Sequence, residues 1–169
     1  MKTRAHIAVA ALTLSVVLTG CGGNDDEAQA AEAISASMME ESDEDFTVDQ
    51  AQADCVGEGM VDRVGVDKLK EYGMLTDDLT VNDSVTDVTM EEADADSAAD
   101  VLVNCVDAQA IIAEQMGADD SITPEQQECM AEAFTNEALT DMFSLMFQGK
   151  EDEATQGMME PLMSCMMGS

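Results

Sequence analysis

Three residue types in this chain could do chemistry, and a fourth is nearly missing. There are five cysteines, 15 methionines and 37 Asp plus Glu, against one histidine at position 6. Met158, Met159, Met163, Met166 and Met167 crowd together, with Met142 and Met146 just before them. Thioethers gathered in this way are soft ligands suited to Cu(I). The same i to i+3/i+4 spacing also marks one face of a helix on which Met replaces Leu, and core packing is the expected role. The acid pairs Asp77-Asp78 and Asp119-Asp120, the Asn82-Asp83 step and the run Glu40 to Asp45 raise a calcium reading. An EF-hand loop needs Gly at its sixth position and Glu at its twelfth. The loop at Asn82 has Asp87 and Ala93 there, so only weak, diffuse cation accumulation is expected. No cofactor is implied.

Charge and composition narrow the function further. Six Lys and Arg against the 37 acids give a formal charge of −31. Phosphate binding needs a basic face, so nucleic acid is excluded as a partner. A polybasic grip on anionic lipid is excluded for the same reason. There is no Trp, and aromatics make up 3%, which leaves little for stacking platforms. No Cys-x-x-Cys occurs, so a thioredoxin-like redox motif is not present.

The first residues read as an address. Met1 to Arg4 is a short basic stretch and Ile7 to Leu18 an apolar one. The apolar run is shorter than the roughly 20 residues of a transmembrane helix and fits a signal peptide. Leu18-Thr19-Gly20-Cys21 then resembles the lipobox of bacterial lipoprotein precursors. That resemblance implies a diacylglyceryl group on the Cys21 thiol, cleavage between Gly20 and Cys21 by signal peptidase II, and often acylation of the new amino group. A chain carrying two or more acyl groups is held stably on a membrane surface. The implied location is the extracytoplasmic face of the cell membrane. Losing Lys2 and Arg4 with residues 1–20 moves the formal charge from −31 to −33, and His6 is lost as well. Without imidazole there is no Ser-His or Cys-His pair and no His metal ligand, so the expectation is a non-enzyme.

From Cys21 onward, Leu, Ile, Val and Phe number 26 of 149 residues. With this net charge, such a fraction falls in the disordered range, and the methionines and cysteines argue back. Residues 21–46 are acidic and rich in small residues. They are expected to be a flexible tether, with residues 28–39 helical only transiently. The helical domain is expected over 47–169. Asp49 with Gln52, and Thr123 with Gln126, have the form of capping boxes, and Pro124 takes the favoured first helical position. Thr89 with Glu92 has the same form and should open a helix running to about Cys105 or Val106. Residues 107–116 are expected to form a linking helix. Gly73, Gly117 and Gly149 stand where helices should end.

These signals repeat. With Cys55 set over Cys129, Met60 meets Phe134, Val64 meets Ala138, Leu69 meets Phe143 and Tyr72 meets Met146. Two related helical units follow, at about 49–107 and 123–167. Four cysteines on an extracytoplasmic chain with a weak core read as two disulfides. The repeat favours Cys55–Cys105 and Cys129–Cys165; the rival pairing is Cys55–Cys129 with Cys105–Cys165.

The segments Asp54-Cys55-Val56, Val61-Asp62, Gly65, Asp67-Lys68-Leu69 and Leu102 to Asp107 are similar to those of small acidic actinobacterial lipoproteins. The second half departs from that pattern: Met130 follows its cysteine, and no Gly stands at the Gly65 equivalent. The resemblance implies architecture and location only. The expected fold is all-α, a small disulfide-stapled bundle of two helical units behind a signal peptide and a disordered acidic tether. The expected function is a non-enzymatic interaction or structural module with an acidic surface, facing a cationic or cation-bridged protein or cell-envelope partner. The alternative is metal handling, with Cu(I) on thioethers or weak Ca2+ on carboxylates.

Overall fold

The structure is a computed structural model that describes residues 25–41, 48–84, 88–112 and 122–167. Within them the chain forms helices α1 (Asp25–Glu41), α2 (Gln50–Arg63), α3 (Val66–Glu71), α4 (Glu92–Cys105), α5 (Pro124–Ala133), α6 (Asn136–Phe147) and α7 (Glu151–Met167). Residues 108–112 are also helical. The fold is all-α, with one isolated antiparallel bridge, Leu75 to Val81, in the turn after α3. The described part of the linking helix agrees with its expected start; the rest, and Gly117, lie outside the described residues.

Local chemistry accounts for the helix ends. The Asp49 carboxylate accepts from the Gln52 N–H at 2.9 Å, and the Gln52 side chain accepts from the Asp49 N–H at 3.0 Å. Thr123 and Gln126 make the same reciprocal pair at 3.3 and 2.9 Å. Each box satisfies two N–H groups that the first helical turn leaves open. Gly73 and Gly149 adopt φ of 77° and 70°. After α3, the N–H groups of Gly73 and Met74 return to the carbonyls of Lys70 and Leu69; after α6, those of Gly149 and Lys150 return to Met146 and Leu145. Both are Schellman closures, which favour glycine because an L side chain is strained at such φ.

The box expected at Thr89 does not form. Helix α4 starts at Glu92 with Glu91 as its N-cap and no side-chain cap. Tertiary bonds hold the preceding residues instead: the Met90 N–H donates to the Phe147 carbonyl at 2.7 Å, and the Glu91 N–H donates to the Tyr72 hydroxyl at 3.2 Å.

A larger correction concerns the acidic tether. Residues 25–41 are not an unpacked segment but a helix seated on α2. Ala30 is fully buried and Ser35 nearly so, with Ala31, Ile34 and Met38 packed on the first core. The seam is tight because Gly57 of α2 faces the backbone of Ala31. A Cβ at position 57 would lie 2.3 Å from the Ala31 carbonyl oxygen. The acids Asp25, Asp26 and Glu27 sit in the first turn of α1, where the helix dipole favours negative charge. The helical domain therefore begins by residue 25, not 47.

The helices pack in succession: α1 on α2, α2 on α4, α4 on α6, and both α5 and α6 on α7. Two cores result. The first is centred on Val48, Val56, Met60, Leu69, Ala95, Ala98 and Val106. The second is smaller, consisting of Val103, Met130, Phe134, Leu139 and Cys165. Val103 of α4 belongs to the second core although its neighbour Val101 serves the first, so α4 is common to both units. The repeat places α2, α3 and α4 in correspondence with α5, α6 and α7. Burial agrees at Met60 and Phe134. At the other matched positions it weakens: Ala138 and Met146 are exposed where Val64 is buried and Tyr72 half-buried. The second unit is the poorer copy.

Candidate functional site

The cysteines pair within the units. Cys55 is bonded to Cys105 and Cys129 to Cys165, with Cα separations of 5.5 and 5.6 Å. Each bond ties the early turns of one helix to the closing turn of another. Gly20 and Cys21 lie outside the described residues. Among the described residues, no helix is long and apolar enough to cross a membrane.

The methionines divide, and most of the expected core role is corrected. Met158 is half-buried against the second core, with Met142 beside it. Met159, Met163, Met166 and Met167 are exposed, at 52%, 49%, 65% and 73%. Helix α7 turns Ala154, Met158 and Cys165 inward, which points the intervening thioethers to solvent. Met159, Met163 and Met167 line one shallow trough with Gln156, Glu160 and Ser164.

Two of the four described cations, Arg63 and Lys68, are held among acids. Arg63 pairs with Asp100. Lys68 lies 3.2 Å from Glu91, 3.5 Å from Glu71 and 3.9 Å from Asp94, and sits 5.6 Å above the Tyr72 ring. The hydrogen bond to Glu91 raises the Lys68 pKa, against a smaller opposing effect of burial. Tyr72 donates to Asp94 at 2.5 Å, and that bond, with burial, raises its pKa above the ordinary 10.0. A raised folded-state pKa stabilises the fold below the unfolded value and is lost as pH climbs through the folded one. Tyr72 is the only tyrosine and there is no Trp, so tyrosinate absorbance reports this group alone. The expected result is a titration midpoint above 10 in the native protein that drops back in urea. Equal midpoints in the two states would show that the Asp94 bond does not form in solution.

Two polar clusters were not foreseen. Buried Ser35 of α1 donates to Asp54 of α2 at 2.6 Å, and Gln50 donates to both, at 3.1 and 2.7 Å. Buried Ser144 of α6 donates to Asp96 of α4, and Gln148 donates to Ser144 at 2.9 Å. The two seams α1–α2 and α4–α6 are thus pinned by the same three residue types. The bonds from Ser35 and then Gln50 lower the Asp54 pKa, so this seam is strongest above the ordinary carboxylate range and weakens as acid protonates it. Nothing in the sequence marks these residues, because each set is assembled from two different helices.

One apolar cavity of about 290 Å³ lies between α6 and α7, with Phe134, Leu139, Leu145 and Pro161 in its wall and Asp141 as its ionisable residue. Pro161 lacks the N–H that would bond Gly157, so the α7 ladder is interrupted at this wall. A second cavity of about 270 Å³ opens between α1 and the first core, lined by Ile34, Met60, Val81 and Leu102, with Ser37 and Asn82 as its polar residues. Neither brings two carboxylates together for acid–base work. Among the described residues, no three of His, Cys, Asp and Glu converge to hold a metal ion.

Fold and site together define a disulfide-stapled helical bundle with an acidic surface and an exposed thioether face. No protein-family model matches the chain, and neither does any curated protein or solved structure.

Proposed function

We propose that this chain is a membrane-anchored extracytoplasmic lipoprotein, a non-enzymatic interaction or structural module that presents a strongly acidic surface. The observation that carries the reading is Leu18-Thr19-Gly20-Cys21, placed in register behind a basic stretch and an apolar run. The pairing of Cys55, Cys105, Cys129 and Cys165 into two disulfides supports it, because such bonds persist in oxidising compartments. The carboxylates far outnumber the cations, and Arg63 and Lys68 are already engaged. The partner that fits is a cationic or cation-bridged protein or envelope component.

The anchor is tested in a bacterial host by metabolic labelling with palmitate and mass spectrometry of the N-terminal peptide. The wild-type chain is expected to take up label and to begin at a lipid-modified Cys21. Cys21→Ala should take up none. A wild-type chain with an unmodified Cys21, or one cleaved elsewhere, would refute the anchor.

A further inference from the structure

The large apolar side chains that stand exposed among the described residues are Met39, Met146, Met159, Met163, Met166 and Met167. Every one is methionine. Leu, Val and Phe occur in this chain, and those described are buried or half-buried. A face selected for apolar burial against a partner would draw on Leu, Ile and Phe as well. A face selected for thioether sulfur would contain only Met.

Four of the six share one helix. Met166 and Met167 stand at i+3 and i+4 from Met163, so the Cβ of each lies about 5–6 Å from that of Met163 on the α7 surface, flanking it on either side. Each side chain has three rotatable bonds and is about half or more exposed, so the three sulfurs can turn toward one point above the helix. Met159, one turn earlier, adds a fourth sulfur within reach of Met163. Cys165 is buried in its disulfide and supplies no thiolate. The remaining donors nearby are neutral or singly negative: Glu160 and Ser164 line the trough of Met159, Met163 and Met167, with Met166 at its edge on the helix surface. Thioethers without thiolate or imidazole select a soft, monovalent, low-coordinate cation over Zn2+ or Ca2+.

From this we infer that the exposed face of α7 is a binding site for Cu(I), held by the thioethers of Met163, Met166 and Met167 with Met159 as an accessory ligand. Binding is reversible and changes no oxidation state. The inference stands apart from the lipid anchor, since it concerns α7 alone.

The test titrates the chain carrying His6→Ala and Cys21→Ala, with both disulfides intact, first with Ag(I) as a redox-inert probe and then with Cu(I) kept reduced by ascorbate; the further variants are made in this background. Affinity is read by competition with a chromophoric Cu(I) chelator, and the ligands by methionine methyl NMR shifts. One equivalent should shift the methyl signals of Met163, Met166 and Met167 but not that of Met146. The triple variant Met163→Leu, Met166→Leu, Met167→Leu keeps the apolar area and should bind at least tenfold more weakly, while Met146→Leu should match the parent chain. Equal affinity in the triple variant would place the cation on carboxylates and overturn the site. So would a parent chain that takes up neither cation, including one whose methyl signals move only with protein concentration through self-association.

Discussion

Replacing Cys129 and Cys165 with alanine is expected to unfold the second unit at low salt while much of the first persists. The bond closes 36 residues, worth about 4 kcal/mol in the chain-entropy account, a large share of the stability of any small domain. The second core has only five buried members, and Cys165 is one of them. The first has fifteen, so Cys55→Ala with Cys105→Ala should cost less helix. Charge works in the same direction. Residues 122–167 carry nine carboxylates and one cation, Lys150. Their repulsion is felt at low ionic strength and is screened within about 3 Å in molar salt. Circular dichroism of the Cys129→Ala/Cys165→Ala variant should therefore show low helicity in dilute buffer and substantial recovery in molar salt. A signal that stays flat across the salt titration would sink this account.

Gly57→Ala should detach α1. The new methyl group would meet the Ala31 carbonyl oxygen at 2.3 Å, and a backbone atom has no rotamer by which to move aside. Overpacking of this kind costs roughly 1–3 kcal/mol. Helix propensity returns up to about 1 kcal/mol for Gly to Ala, so the net effect is destabilising. Gly157→Ala in α7 is the matched comparison. Its methyl group would meet nothing within 4 Å, so only the gain in helix propensity remains and stability should not fall. Urea midpoints should separate the two variants, and only Gly57→Ala should expose residues 25–41 to protease. Identical midpoints and cleavage would mean that α1 is not seated on α2.

What could be read in the sequence was local chemistry. The capping boxes at Asp49 and Thr123 depend on residues three apart, and the glycine closures at Gly73 and Gly149 on a single residue. All four formed. The disulfide pairing followed from those signals repeating around the cysteines. What could not be read depends on distant partners. Helix α1 packs closest through Ala30, Ala31, Ser35 and the bare backbone of Gly57, and Ile34 and Met38 alone add larger apolar area to the first core, so its apolar stripe is short and the sequence resembles a solvated linker. Thr89 has the local form of a cap, yet its segment is claimed by Tyr72 and Phe147 from elsewhere. Regular spacing in Met142 and Met146, and in Met159, Met163 and Met166, pointed to one helix face but not to which way it faces. That orientation is set by Ala154 and Cys165 on the other side.

The order of the disulfides has a consequence for how the chain matures. Cysteines 55, 105, 129 and 165 pair first with second and third with fourth, so the two covalent rings lie side by side along the sequence and do not interlock. A chain delivered N-terminus first presents Cys105 to Cys55 before Cys129 has emerged. Among these four, each cysteine waiting for a partner meets the native one next. The crossed arrangement, Cys55 with Cys129 and Cys105 with Cys165, would require the first thiol to ignore its nearest successor. This topology lets oxidation keep pace with emergence, with no bond to break and remake before the bundle closes.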